Sequence, residues 1–573
     1  MLERMRQMIA SRNDGERPDA PAAAAPAGGV PCVLNVGGGS KAIAIPPLYA
    51  SWTQVLLDIK AKPDVDLVCD ARRLGELAAS AYDAVYCSHN LEHYYRHEVP
   101  QVLAGFAHVL KDDGFCEIRV PDMLAAFEYA LAAGEDLEAT MCESEAGPVS
   151  TLDLIYGFDQ EIRRTGEPYY AHRTGFSALT LERALQQAGF AETFVLRHPG
   201  YELRALAFKA PFGALRRREG SARAVDALYA FGCDAWQVEA CGLAARAARA
   251  ALGLDATLPA LHYLLGCAEL EADHWCEAHG AFEQCLALAP DYPLTLQARL
   301  HAAVARARQD LAAGTKPSVI KTPEKLPDLV SVVICSARPE RLARAKAAYE
   351  RAFTGIAHEL VAVTDARSLA EGYNRGLRAS RGELVVFSHD DIDIAAPDFA
   401  ARLLRHMQSA DLVGVAGTTQ VVTASWLGAG WSHLAGQIAI PEDGGSLIVT
   451  AYGCRMSAGG AQALDGVFLA CRRELAQRIG FDAATFDGWH GYDFDFSFRA
   501  YLGGYRCAVA GDLLLAHESI GSFDRPEWRR YAQRALEKHR GSLPPDAGLP
   551  QQPQLCSIQV RSATEWQVMS AYL

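Results

Sequence analysis

The strand-like run GELVVFS ends in His389-Asp390-Asp391-Ile392-Asp393, three carboxylates within four residues. Carboxylates this close repel one another unless a cation or hydrogen bonds compensate. A hard divalent ion, Mg2+ or Mn2+, is the economical partner, and such ions typically bind one or two protein carboxylates together with substrate phosphates. The competing reading is a solvated loop or helix cap. Downstream, FDGWHGYDFDFSFRAYLGGYR sets Asp487, Asp493 and Asp495 among aromatic residues ahead of an amphipathic helix. LLLAHESIGS then places His517 just past another strand, as a third protein ligand.

A second pattern lies nearer the N-terminus. Val33-Leu34-Asn35-Val36 runs into Gly37-Gly38-Gly39, a strand entering a turn whose glycines let the backbone approach a ligand. Asp58, nineteen residues after Gly39, ends VLLDI, where a carboxylate can accept hydrogen bonds from both ribose hydroxyls of an adenosine. Gly37-x-Gly39-x-x-Ala42 formally satisfies a dinucleotide fingerprint, but Pro46-Pro47 interrupt the helix that a diphosphate needs. A ligand without a diphosphate fits better. The stretch SHNLEHYYRH adds His89, Glu92, His93 and His97. A histidine there can take a proton from a hydroxyl. The favoured reading is plainer: a structural hydrogen bond between Glu92 and His93 at a helix start. A metal site from these histidines is disfavoured, because nothing later supplies a matching carboxylate cluster.

At 573 residues, and roughly 150 per domain, the chain is expected to hold three or four domains. Hydrophobic residues at 50% and charged residues at 22% are ordinary for packed globules. A net charge of -14 argues against a nucleic-acid-coating role. No apolar run approaches the ~20 residues needed to cross a bilayer, and MLERMRQMIASRND lacks the apolar core of a secretory signal. A cytoplasmic location is expected, with peripheral membrane association left open. The 15 cysteines, with no CxxC pair, read as reduced thiols.

Alternating β-rich and amphipathic runs predict an α/β multidomain chain with mostly parallel sheets. Residues 1–30 read as a flexible leader, 31–212 as a first α/β domain with strands CVLNV, QVLLDI, AYDAVYCS and FCEIRV, and 220–312 as a helical domain. Residues 313–328 read as a Lys/Pro-rich linker, 329–545 as a second α/β domain, and 546–573 as a tail without an assignment.

The motifs LNVGGG, LLDI, DLVCDAR, YDAVYCSHNLEH, HVLKDDGFCEIRVPD and AHRTGFSALTLERALQQAGF resemble a class I S-adenosylmethionine-dependent methyltransferase, with its Rossmann-like fold. The resemblance implies that Gly37, Gly39 and Asp58 bracket the methionine and ribose of the cofactor, that Asp70 sits near the adenine, and that Ser88-His89 begin the wall beside the methyl donor. SVVICS, AEGYNRGLRASRGELVVFSHDD, LDGVFLACRREL and GWHGYDFDFSFRA resemble an inverting family-2 glycosyltransferase of the GT-A fold. That resemblance implies Asp391 as the metal-binding aspartate with Asp390 or Asp393 assisting, His517 completing the coordination, and Asp493 as the general base. Where that family often has its first D-x-D aspartate, this chain has His389. Ser336 and Asp365 are expected to hold the nucleotide, and Asp495 to cap the following helix. Trp426, Trp431, Trp489 and Tyr492 are candidates for a sugar platform, Trp489 and Tyr492 foremost. Leu265-Gly266, Ala278, Phe282 and Pro290 resemble a tetratricopeptide repeat, with Ala244 and Ala248 as part of a preceding unit.

The expected function is a bifunctional transferase of cell-surface glycan or glycoprotein synthesis. One domain transfers a sugar from a nucleotide-sugar to a hydroxyl acceptor, with Mn2+ or Mg2+. The other uses S-adenosylmethionine to methylate, and the repeats offer a surface to a protein partner. The alternative is a protein glycosyltransferase, acting for example on a flagellin, whose first domain and repeats serve only in recognition.

Overall fold

The computed structural model describes residues 29–134, 136–144, 147–216, 218, 220–290, 294–453, 455–519, 525–549 and 555–573. The leader read over 1–30 lies almost wholly outside them. The chain forms two compact units, Met1–His274 and Trp275–Leu573.

The main sheet of the first unit has seven strands: β1 (Cys32–Val36), β2 (Thr53–Asp58), β3 (Leu67–Val68), β4 (Tyr82–Ser88), β5 (Leu110–Pro121), β6 (Glu192–His198) and β7 (Glu202–Phe208). Their order is β3-β2-β1-β4-β5-β7-β6, with β7 antiparallel to both neighbours and the rest parallel. Successive strand residues face opposite sides, and both sides are covered. Leu34, Val36 and Cys87 pack with Val102 and Phe106 of α1 (Val99–Val109). Val33, Phe194 and Phe208 pack instead with Leu228, Phe231 and Ala247. The strand order reverses between β1 and β4, and the crevice beyond the strand ends at such a reversal is where open α/β sheets bind ligands. Gly37 and His89 sit there.

Leu228 and Ala247 belong to α2 (Ser221–Gln237) and α3 (Cys241–Leu254), which with α4 (Pro259–Glu271) complete the first unit. The helical stretch expected as a body of its own over 220–312 is therefore divided. Alanine faces on α2 and α3 allow close approach to the aromatic side of the first sheet, whereas α5 (Trp275–Leu288) and α6 (Thr295–Ala312) belong to the second unit.

The second unit's strands are β8 (Val330–Cys335), β9 (His358–Val363), β10 (Leu384–Ser388), β11 (Ile392–Ile394), β12 (Leu412–Gly414), β13 (Ala416–Thr418), β14 (Leu434–Pro441), β15 (Leu447–Ala451), β16 (Ser457–Gly459), β17 (Ala463–Leu464), β18 (Phe468–Arg472), β19 (Cys507–Ala510), β20 (Leu515–His517) and β21 (Cys556–Val560). The larger sheet runs β9-β8-β10-β18-β12-β19-β16, and a second runs β11-β20-β14-β13-β17. β15 adds to β14, and β21 to β15. The C-terminal stretch that had no assignment is thus structural: after β21 comes α10 (Ala563–Met569), whose Trp566 is fully buried and whose Glu565 pairs with Arg308 of α6 at 2.7 Å. Among the described residues the cysteines are free thiols, and no helix is long and apolar enough to cross a membrane.

Candidate active sites

In the second unit, β10 ends where the N–H of His389 donates to the carbonyl of Val467, 3.1 Å away. The chain then enters the edge strand β11, whose antiparallel pairing sets Ile392 opposite His517. This returns His517 to Asp391. Its Nε2 lies 3.0 Å from Asp391 Oδ1 and 3.2 Å from His389 Nδ1, while His389 Nδ1 is 4.0 Å from Asp391 Oδ1. Neighbouring ligands of an ion held at about 2.1 Å stand about 3.0 Å apart, so the three atoms fit one cation, and the donor set of two imidazoles and a carboxylate suits a transition ion. Burial opposes the Asp391 charge, yet His517, His389 and Ser519 hold its carboxyl well below the usual range. Burial, helped by His517, pushes His389 down to about 3, which keeps the ring neutral.

Asp393, expected to assist the metal, does not join this cluster. It lies in the solvent-facing edge strand, its side chain 64% exposed and paired with Arg351 of α7 (Pro339–Ala352) at 2.8 Å. His389 takes the place expected of it. Asp390 accepts a hydrogen bond from the buried Ser336 hydroxyl, which anchors the pair at the end of β8. Asp365 does not join them: it is exposed and pairs with Arg375 at 2.6 Å, while its neighbours Thr364 and Ala366 line the cavity.

The cavity here measures about 670 Å³, with Ser336, Asp390, Trp426, Asp465, Trp489 and Asp493 in its wall. Asp493 is in the first turn of α8 (Tyr492–Leu502). The helix can come this close because residue 466 is glycine: a Cβ there would stand 2.4 Å from the Tyr492 hydroxyl and 2.7 Å from Cβ of Asp493. Burial, reinforced by Asp465, pushes the Asp493 carboxyl up to about 7. Asp465 is itself raised by burial, although it accepts hydrogen bonds from Trp426 and from the N–H of Val467 at 2.9 Å. Sequence reasoning missed Asp465; its only signal was its place in LDGVFLACRREL.

Trp489 is 49% exposed at the cavity wall, whereas Trp431 is not part of that wall and Trp426 is buried against Tyr452. Tyr492 is not a platform. Its ring is buried edge-on to Tyr373, and its hydroxyl meets His389 Nε2 at 2.8 Å. Asp495 is not a helix cap either. It lies fully buried inside α8 and holds His539 at 2.8 Å and Lys538 at 2.6 Å, fastening α9 (Pro526–His539).

In the first unit, Gly37 (φ 72°) closes the turn after β1; a Cβ there would lie 2.2 Å from Nδ2 of Asn90. Its N–H donates to the carbonyl of Leu57 at 2.8 Å, setting the turn beside Asp58. Asp58 is largely buried, accepts the Lys60 N–H at 2.9 Å and has Lys62 Nζ at 3.4 Å. A 3-10 turn, Pro47–Tyr49, stands where a diphosphate-binding fold would start an α-helix. The cavity of about 700 Å³ is bordered by Gly37, Gly39, Asp58, Asp70, His89 and Asn90. Ser88 stays outside it, within β4 opposite Arg119, so the wall begins at His89. Asp70 borders the cavity, but its carboxylate caps the turn Ala71–Glu76 and grips Arg72, rather than standing free toward an adenine.

The expected Glu92–His93 hydrogen bond is absent. The His93 ring nitrogens approach the carbonyls of Ala171, at 3.2 Å, and His89, at 3.1 Å. Glu92 faces His89 and His172 instead.

Residues 331–538 match the family model described as a glycosyltransferase-like family, and residues 50–118 match a methyltransferase domain. Glycosyltransferase-like and methyltransferase domains together mark the chain as a transferase. No curated protein matches it. Among solved structures, it is similar to the mannosyltransferase PcManGT of Pyrobaculum calidifontis in complex with GDP-Man and Mn2+, at 18% identity over 45% of this chain and 77% of that one, with a TM-score of 0.26. It is also similar to the 1,6-didemethyltoxoflavin-N1-methyltransferase of Burkholderia thailandensis with bound S-adenosylhomocysteine, at 16% identity over 32% and 72%, with a TM-score of 0.20.

Proposed function

We propose that the second unit transfers a sugar, with inversion, from a nucleotide-sugar to a hydroxyl acceptor, and that the first binds S-adenosylmethionine and methylates. The observation that carries the reading is Asp493, a carboxyl raised to about 7 on the wall of the cavity that also holds the His389, Asp391 and His517 cluster. A carboxylate with that affinity for a proton is suited to take one from a hydroxyl near neutral pH. Asp465 sustains the raised affinity. His389, Asp391 and His517 would hold Mn2+ in preference to Mg2+, because two of the three donors are imidazoles. Bound there, the ion would offset the charge of a leaving diphosphate. Ser336 and Asp390 face the nucleotide, and Trp489 offers its ring to the acceptor sugar.

In the first unit, Asp58 and the turn at Gly37–Gly39 receive the ribose and methionine of the methyl donor, whose lack of a diphosphate suits a turn with no α-helix behind it. The finer assignments belong to the same proposal: a soluble enzyme of cell-surface glycan or glycoprotein synthesis, in the cytoplasm, with residues 220–312 as tetratricopeptide-like units for a protein partner.

Calorimetric titration of the full chain with S-adenosylmethionine, then with UDP and GDP in the presence of Mn2+, tests both halves. Both classes are expected to bind. Nucleotide binding that ignores Mn2+ would overturn the cluster's role, and absence of cofactor heat would reduce the first unit to recognition.

A further inference from the structure

Glu92 is 1% exposed, and its carboxylate makes no close hydrogen bond: the nearest donor, Nδ1 of His89, stands 3.5 Å away at one oxygen and helps hold the carboxyl below its usual range. A buried charge left in that state is destabilising unless another group compensates it. Around it stand three imidazoles. His89 Nδ1 is 3.5 Å and His172 Nε2 is 4.0 Å from Oε1, and ligand atoms of Glu92, His93 and His172 all lie within 4.8 Å of one another.

His172 gives the sharper clue. Its Nδ1 lies 2.9 Å from the carbonyl oxygen of Leu154, which can only accept, so Nδ1 carries the proton. Nε2 then turns a lone pair toward a carboxylate oxygen across 4.0 Å. Two lone pairs facing each other repel. A cation about 2.1 Å from each converts the repulsion into coordination, and an imidazole fixed by N–H to a backbone carbonyl is the usual support of a metal ligand.

We propose that Glu92 and His172, joined by His93 once Nε2 of its ring leaves the His89 carbonyl 3.1 Å away, form a divalent-cation site in the wall of the first unit's cavity. The backbone prepares it: the N–H groups of Arg173 and Thr174 donate to the Glu92 carbonyl at 2.8 and 3.2 Å, which fixes His172 beside Glu92 across eighty residues of sequence. Two imidazoles and a carboxylate, with no thiolate, suit Mn2+, Fe2+ or Zn2+. All three ligands border the cavity that Gly37 and Asp58 also line, so the ion's remaining positions face it. The ligand class for those positions is an acceptor bearing a hydroxyl or carboxylate oxygen; this last step rests on reading the cavity as the methyl-donor pocket, whereas the cation site does not.

The test counts metal on the full chain, stripped with chelator, reloaded with Co2+ or Zn2+, dialysed and measured by elemental mass spectrometry. Wild type is expected to retain two equivalents, Glu92→Gln one, Asp391→Asn one, and the double variant none. Wild-type retention unchanged in Glu92→Gln overturns the site and leaves His89 as the counter-charge of Glu92. A single equivalent lost only in Glu92→Gln supports this site and defeats the His389–Asp391–His517 reading; one lost only in Asp391→Asn does the reverse. Should Glu92→Gln not fold, His93→Asn and His172→Asn replace it, each expected to weaken Co2+ affinity at least tenfold and alter its visible spectrum. Unchanged affinity and spectrum in both overturn the proposal.

Discussion

The hydroxyl of Tyr492 lies 2.8 Å from Nε2 of His389 and 3.1 Å from the carbonyl oxygen of Gly466. A carbonyl only accepts, so the hydroxyl donates to Gly466 and receives the Nε2 proton of His389. That leaves the Nδ1 lone pair of His389 turned toward His517 and Asp391. Tyr492→Phe keeps the ring packed against Tyr373 but removes this orientation. Partners of this kind are worth about ten- to a hundredfold in metal affinity. Mn2+ titration of the variant is expected to show such a loss, with KM for the nucleotide-sugar raised more than kcat is lowered. A change below about twofold in Mn2+ affinity would remove Tyr492 from this role.

As the proposed base, Asp493 would couple activity to stability in opposite senses. Its folded pKa of about 7 lies above the usual carboxyl value, so the folded state favours the protonated form. Stability is then full below about pH 4, falls as pH rises toward 7, and stays reduced above it. Asp493→Asn is expected to abolish sugar transfer, by about two to four orders of magnitude, while raising Tm more at pH 8 than at pH 5. For the wild type, kcat/KM for transfer should climb with unit slope up to about pH 7. A profile flat between pH 5.5 and 8, or an Asn variant equally stabilised at both pH values, would count against Asp493 as the base.

The strands were legible because their apolar runs are short and bounded. CVLNV, QVLLDI and AYDAVYCS all fall on strands of the first sheet, and GELVVFS on β10. The candidate metal cluster was legible in part. Asp391 and His517 sit where strand ends place them, but spacing along the chain cannot tell which of Asp390, Asp391 and Asp393 shares a face with His517. That is decided by the pairing of β11 with β20, which is a long-range contact. The same limit hid His172, which reaches Glu92 only through backbone bonds from the next two residues, and Asp465, whose effect on Asp493 depends on the approach of α8.

Asp58 already spends one oxygen on the N–H of Lys60 and has Lys62 beside the other. A ribose diol would take the second oxygen as Lys62 swings aside, so the carboxylate should matter for the adenosine end of the methyl donor. Asp58→Ala is expected to weaken S-adenosylmethionine binding about tenfold or more, the scale of a lost charged hydrogen bond. Lys62→Ala, which frees that oxygen, should leave binding equal or tighter. Calorimetry on both variants decides it, and an unaltered Kd in Asp58→Ala would sink the assignment.

The C-terminal segment, Pro- and Gln-rich at first, carries no assignment in sequence, yet its last elements are built into the second unit. β21 extends the sheet beside β15, with Leu447 opposite Val560 and Ala451 opposite Cys556, and α10 buries Trp566 completely. Large-to-small changes at such a position cost about 3–5 kcal/mol, the lost transfer energy plus the cavity left behind. Gln437 of β14, whose Nε2 donates to the Ser570 hydroxyl at 2.8 Å, links this segment to the strand that also carries Ile438 and Ile440 into the wall of the cavity that Asp493 lines. Trp566→Ala is therefore expected to lower Tm of the second unit by several degrees and to loosen Mn2+-dependent nucleotide binding with it, while S-adenosylmethionine binding in the first unit is unchanged. Differential scanning calorimetry with each ligand separates the two responses; a variant that melts like wild type would show that the segment rests on the unit without supporting it.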